Sequence, residues 1–355
     1  VLHHLPISLI LDVFPSKAFF LEICFLYYNK NGKLVGNLIA VTIKTQINLL
    51  GVLKLKKYML FVSSFMFLIM IFGSYYYFKH SSNGRMKPYH PPYKQQENRY
   101  ADETTDYSLT NNTLSITFNK GKEWITVPVD KESLFDGEYN GDKDELIQNS
   151  YFLSNTLTAF LYGDRGVYLF ISKDAGKEWK RQIIIPEYPT EQYPVLRFRK
   201  VAFLDKDFGY VILTRDRTMS SEMTSVFLTQ DGGETWTETS PSPSERLIYD
   251  GAFIDEITGF LSYGILNPTD PELFITKDGG KSWSKSQINI PQEYLGIFVI
   301  AEMPIKEKGH LSMLVNQGQN GDYKGAKVKG KFISKDNGLT WEFKEEVYVD
   351  DSANK

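Results

Sequence analysis

The nine residues "ISKDAGKEW" at 171–179 recur as "LTQDGGETW" at 228–236, "ITKDGGKSW" at 275–283 and "ISKDNGLTW" at 333–341, with a weaker copy, "ITFNKGKEW", at 116–124. The common pattern is Ser/Thr-x-Asp-x-Gly-x-x-Trp, and all five tryptophans of the chain close a copy. Their spacings, 55, 57, 47 and 58 residues, restrict the fold to one supersecondary unit repeated along the chain. Each copy reads as a hairpin staple. An apolar β-run enters a tight turn, where the carboxylates of Asp174, Asp231, Asp278 and Asp336 are placed to accept backbone amides. Gly176, Gly233, Gly280 and Gly338 supply a positive φ, and Trp179, Trp236, Trp283 and Trp341 open the returning strand with a large buried ring whose N–H finds a partner. In the first copy, Asn119, Gly121 and Trp124 keep the turn chemistry but lose the charge-assisted bonds.

The intervals between copies also repeat. "RKVAFLDKDFGYVIL" at 199–213 and "YDGAFIDEITGFLSY" at 249–263 share Phe-x-Asp-x-x-x-Gly-aromatic, which predicts a first strand, a turn and a second strand. "SVFLT" and "ELFIT" then supply the third strand and each copy leads into the fourth. Four units of four strands are therefore complete. The first has only its third and fourth strands, and must borrow inner strands from residues 98 to 112 or stay irregular.

The repeat resembles the Asp-box, or BNR repeat, of bacterial sialidases, sortilin-type receptors and photosystem II stability and assembly factor-like proteins. The Phe-x-Asp…Gly-aromatic hairpin ahead of Asp-Gly-Gly-x-x-Trp is similar to the assembly-factor-like branch more than to the sialidases. The resemblance covers residues 116 to 341 and implies an all-β fold, a β-propeller of four-stranded antiparallel blades in which the boxes are peripheral and structural. The spacing points to five blades and leaves six or more open. The sialidase pattern further needs three arginines for a carboxylate and a Phe/Tyr-Arg-Ile-Pro motif. The candidate arginines are Arg165, Arg181, Arg197, Arg199, Arg215, Arg217 and Arg246, and none precedes Ile-Pro.

The propeller, residues 105–355, follows three other segments. Tyr58 to Phe78 is 21 residues without a charge, long enough to span a membrane of about 30 Å. Lys54, Lys56 and Lys57 before it predict a cytoplasmic N-terminus and an extracytoplasmic propeller, held by an uncleaved single-pass anchor over 55–78. Residues 79–104, with three prolines and no apolar period, read as a tether. Residues 1–54 are apolar but interrupted by Asp12, Pro15, Lys17 and Glu22, and we expect them not to belong to the native protein. They hold the only cysteine, Cys24, so the outer domain relies on neither disulfides nor thiolate metal sites.

Residues 1–100 carry a net +9 and the remainder −12, which argues against nucleic acid as a partner of the body. No cofactor or metal is expected, since His310 is the sole histidine beyond the tether. The paired acids Asp205/Asp207 and Asp255/Glu256 could be acid/base or calcium ligands, but Asp in a hairpin turn is the commoner use. Asn111-Asn112-Thr113 fits a glycosylation sequon. If the boxes mark one end of the blades, the loops joining second and third strands emerge at the other, and loops on a rigid scaffold are where binding resides. That end carries Asp164, Arg165, Arg215, Asp216, Arg217, Asn267, Asp270, Asn320, Asp322 and Tyr323. The expected function is a non-catalytic binding or assembly scaffold for a protein or glycan partner on the outer face, the alternative being a sialidase-like glycoside hydrolase or glycan-binding surface protein.

Overall fold

The computed structural model describes residues 56–57, 59–73, 104–187 and 194–348. The chain divides into two units, Val1–Arg85 and Met86–Lys355. In the first, residues 59–73 are helical and their apolar side chains are exposed, Phe61 by 70% and Phe72 by 75%. Fifteen residues of helix reach about 22 Å. Among the described residues no helix is long and apolar enough to cross a membrane. Tyr58 and residues 74–78 of the expected span lie outside them, as do residues 1–55 and most of the expected tether.

The second unit is all-β but for short helical turns, and its sheets follow the box repeat one for one. Sheet one contains β1 (Asp106–Thr110), β2 (Thr113–Thr117) and β3 (Ile125–Thr126). Sheet two holds β4 (Tyr151–Phe152), β5 (Thr158–Asp164), β6 (Gly166–Ser172) and β7 (Lys180–Ile185). In sheet three are β8 (Arg199–Phe203), β9 (Gly209–Thr218), β10 (Ser221–Thr229) and β11 (Thr237–Glu238). Sheet four has β12 (Ile248–Phe253), β13 (Gly259–Tyr263), β14 (Glu272–Thr276) and β15 (Ser284–Lys285). Sheets two to four are four-stranded antiparallel meanders in sequence order, as blades of a propeller are. The first sheet takes one strand, β1, from the segment before it and has three in all. The Asn111-Asn112 turn between β1 and β2 has φ of 51° and 59°, the double left-handed geometry of a tight hairpin.

Sheet five departs from the expected four strands. It comprises β16 (Gln287–Asn289), β17 (Ile300–Ala301), β18 (Ile305–Glu307), β19 (His310–Asn316), β20 (Val328–Ser334) and β21 (Thr340–Tyr348). β17 and β18 both pair with β19, so together they form one inner strand interrupted around Pro304, which has no N–H to donate. β16 pairs in parallel with the outer strand β21. The chain thus passes from the edge of sheet four to the edge of sheet five, and Ser286 secures the crossing by donating its N–H to Leu273 O at 2.9 Å and its hydroxyl to Gly338 O at 2.7 Å.

Strand alternation decides which faces meet. In β5, Phe160 and Tyr162 point to sheet one and meet Leu114 and Ile116, while Ala159 and Leu161 point to sheet three and meet Val201 and Phe203. Tyr210 and Ile212 join sheet three to Phe253, Leu261 and Tyr263 of sheet four. Phe260, Leu273 and Ile275 join sheet four to Leu311, Met313, Phe332 and Trp341 of sheet five. The outer face of sheet one is different in kind: by register it carries Asp106, Ser108/Ser115 and Thr110/Thr113, a polar ladder that ends at Thr117, which is buried as the hub of its box. Sheet one is therefore built as an end blade with one face to water.

Candidate functional site

The two ends of the blades differ in chemistry, and the box end is a hydrogen-bonded lock. In the third box Thr229 Oγ1 donates to Asp231 Oδ1 at 2.7 Å and accepts the Gly233 amide at 2.8 Å; Asp231 then accepts the Thr235 amide at 2.9 Å and its hydroxyl at 2.5 Å. Ser172, Thr276 and Ser334 repeat the hub on Asp174, Asp278 and Asp336, and Thr117 repeats it on Asn119. Ser282 and Thr340 repeat the second hydroxyl bond, at 2.6 Å each. Sequence reasoning assigned the amides to Asp alone. The glycine amide in fact goes to the Ser/Thr hydroxyl, which the first position of the pattern had signalled. The residue before each box glycine also has positive φ, from Ala175 at 57° to Gly232 at 68°.

Two indoles find the expected partner, Trp236 Nε1 to Gly233 O at 3.2 Å and Trp341 Nε1 to Gly338 O at 3.0 Å. The Nε1 atoms of Trp179 and Trp283 are buried with no hydrogen-bond acceptor among the described residues, so the N–H partner expected of every copy holds for only part of the set. The ring contacts compensate, since Trp179 stacks on Phe170 with centroids 5.3 Å apart and Trp283 meets Phe253 edge-on at 6.2 Å.

The locks hold their carboxylates ionised. The Thr235 hydroxyl and amide bring Asp231 down to about 2. At Asp336 burial pushes upward, yet the bonds from Thr340, Ser334 and Leu339 outweigh it and hold the group at about 2. Asp278 and Asp174 are lowered by their Ser282 and Glu178 bonds. A carboxylate depressed in the fold contributes stability that is whole above its unfolded value of about 3.9 and is lost as pH falls toward about 2. Thr229→Val, which strands the buried Gly233 amide, is expected to cost about 1–3 kcal/mol in chemical denaturation. Asp231→Ala is expected to cost a similar amount and to make acid unfolding between about pH 4 and pH 2 less steep.

The paired acids of the sequence lie beside the boxes in the turns between first and second strands. Asp205 Oδ1 accepts the Asp207 and Phe208 amides at 2.8 and 2.6 Å, and Asp255 Oδ1 accepts Ile257 and Thr258 at 3.2 and 2.7 Å. Glu256 is exposed. His310 opens β19 and lies 3.1 Å from Glu307. Among the described residues no group of His, Cys, Asp and Glu is arranged to hold a metal.

Every arginine of the propeller has a partner. Arg181 lies over the Tyr168 ring at 3.6 Å and 3.7 Å from Asp164, and Arg165 meets Glu187 at 3.5 Å. Arg215 pairs with Glu238 at 2.8 Å, Arg217 with Glu138 at 2.5 Å and Arg246 with Glu272 at 2.9 Å. Arg197 binds Glu222 through two nitrogens at 2.7 and 2.5 Å. Arg199 is buried against the carbonyls of Leu134, Asp136 and Leu196, tying the short helix Lys131–Leu134 to β8, and burial draws it down to about 10. The expected residues do lie at the end opposite the boxes: Asp164 ends β5 and Arg165 forms its turn into β6, Arg215, Asp216 and Arg217 belong to the distal part of β9, and the rest lie in the β13–β14 and β19–β20 connections. They do not converge on one point. Asp164, Arg165, Arg215 and Arg217 are held in local ion pairs, Asp322 precedes the turn Tyr323–Ala326, and Tyr323 donates to Glu346 at 2.9 Å. Asp216, Asn267, Asp270 and Asn320 are exposed.

What sequence reasoning missed is a cleft of about 380 Å³ at this end, between sheets three and four. It is lined by Ser220 and Ser221 of the β9–β10 hairpin, by Glu245, Arg246 and Leu247 ahead of β12, and by Gly264, Leu266 and Asn267 after β13. The guanidinium of Arg246 lies so close to Gly264, whose φ is 90°, that a Cβ there would meet it at 2.8 Å. Met219 at the hairpin tip is 91% exposed, Met223 56% and Leu266 48%. Also unforeseen are two charges on inner strands: Lys200 of β8 and Asp250 of β12 form an ion pair of 2.7 Å with side chains 3% and 5% exposed. They occupy the same place in the repeated hairpins, a signal that was present in "RKVAF" and "YDGAF".

A BNR/Asp-box repeat family model matches residues 274–285, the fourth copy. No curated protein matches the chain. Among solved structures, a GH74 xyloglucanase from Xanthomonas campestris superposes with a TM-score of 0.43 at 15% identity, over 68% of this chain and 36% of that one. YCF48 bound to a D1 peptide gives 0.36 at 13% identity, over 69% and 79%. An exo-β-1,3-galactanase from Phanerochaete chrysosporium gives 0.37 at 13% identity, over 58% and 51%. The chain thus spans little more than a third of the xyloglucanase and about half of the galactanase.

Proposed function

We propose that the protein is a membrane-anchored, extracytoplasmic, non-catalytic scaffold of five propeller-type blades that binds a protein partner at the end opposite its boxes. One observation carries this reading: the longest hairpin of sheets two to four, β9–β10, ends beside a formed cleft, and three large apolar side chains, Met219, Met223 and Leu266, stand exposed there. Unbranched methionines at a loop end suit an adaptable protein contact. The pairing of all seven propeller arginines supports binding over sialidase-type chemistry, which needs guanidinium groups free for a substrate carboxylate. The exposed apolar side chains of residues 59–73, with Lys56 and Lys57 before them, support an anchor completed by the neighbouring apolar residues.

The test pairs two assays on the full chain. Affinity capture from the source membrane is expected to recover a protein that is lost from the Met219→Ser/Leu266→Ser variant, and a panel of glycosides and polysaccharides is expected to show no turnover. Turnover that survives purification and is abolished by a single carboxylate substitution would establish the glycoside hydrolase alternative instead.

A further inference from the structure

Charge at the loop end selects the kind of partner. The cations around the cleft are already neutralised: Arg197, Arg215, Arg217 and Arg246 hold Glu222, Glu238, Glu138 and Glu272. The carboxylates left over are Glu245, which lines the cleft, and Asp216, both exposed and neither in an ion pair with a described residue. Asp216 is directly opposite Met223 in the hairpin register, so the two share one face of the ribbon, and Ser221, two residues before Met223, shares it too. A thioether, a carboxylate and a hydroxyl therefore lie side by side, leading into a cleft whose own free charge is Glu245.

Resting on the binding role proposed above, we infer that the cleft and the adjoining hairpin face bind an extended basic segment of a protein, one that alternates Lys or Arg with aliphatic side chains. The aliphatic groups cover Met223, Met219 and Leu266. The cationic groups meet Asp216 and Glu245, which face water and lose little solvation until the partner arrives. The strongly acidic body, −12 beyond residue 100, steers such a segment in from a distance.

The experiment uses the full chain in phosphatidylcholine nanodiscs and two labelled synthetic peptides, one repeating Lys-Leu-Gly and one repeating Glu-Leu-Gly, read by fluorescence anisotropy. The basic peptide is expected to bind and the acidic one not. Glu245→Gln with Asp216→Asn is expected to weaken binding by about tenfold, the loss of roughly 1.4 kcal/mol, and Met223→Ser to weaken it as well. Glu256→Gln with Asp207→Asn, the same loss of two carboxylates at the box end, is expected to leave it unchanged. Preferential binding of the acidic peptide overturns the basic partner, and if Met223→Ser abolishes that binding the loop-end site itself stands. Binding of the basic peptide that ignores the loop-end substitutions, or no binding of either peptide, overturns the proposal.

Discussion

Replacing Trp341 by alanine is expected to destabilise the protein by about 3–5 kcal/mol, whereas the same change at Trp124 is expected to cost about 1 kcal/mol or less. The two residues close equivalent boxes, and the difference lies in what stands in front of them. Trp341 is fully buried, meets Phe260 of sheet four with centroids 6.3 Å apart, and donates its N–H to Gly338 O. Its removal leaves a cavity between two sheets and takes from Gly338 O one of its two donors, the Ser286 hydroxyl being the other. Trp124 is 46% exposed. The box glycines of later sheets abut the sheet before them, Gly176 against Phe118 and Ile125, Gly233 against Ile171, Gly338 against Phe260 and Ile275, while Gly121 meets only Trp124 itself. Equal losses at the two positions, measured by urea unfolding, would show that sheet one is an interior blade and that its polar outer face is covered.

Lys200→Met is expected to cost about 3 kcal/mol or more, because it leaves Asp250 in the core without its cation. The pair joins the inner strands of sheets three and four at 2.7 Å, and Asp250 Oδ1 also accepts the Gly251 amide. Burying both charges costs solvation that their attraction only roughly repays, so the double variant Lys200→Met/Asp250→Leu is expected to recover most of the loss. A double variant no more stable than Lys200→Met alone would mean that Asp250 is needed for its backbone bond rather than for the ion pair.

The boxes were legible because their chemistry is local: hub, carboxylate, glycine and indole lie within eight residues, and the structure reproduces the turn in all five copies. The strands of sheets two to four were legible for the same reason, as consecutive hairpins. Sheet five was not, since the parallel pairing of Gln287–Asn289 with β21 joins residues 53 apart and is visible in neither segment alone. The loop-end arginines looked free in the sequence for a similar reason. Arg217 is 79 residues from Glu138, so the carboxylate that pairs with it was out of view in its own stretch of sequence. The binding hypothesis therefore moves from the arginines to the neighbouring methionines, Leu266 and unpaired acids. The polar ladder of sheet one was readable in "DYSLTNNTLSIT", where polar and apolar residues alternate as they do in a strand wetted on one face.

The central claim is that partners bind at one end of the blades and that the other end is structural. Leu266 and Ile257 allow both ends to be probed in the same molecule, being 48% and 58% exposed at the loop end and the box end respectively. A photo-crosslinking amino acid placed at each position in turn, in the full-length protein in its own membrane, reports which end touches a partner. An adduct from position 266 and none from 257 is the predicted result, and an adduct from 257 alone would contradict it.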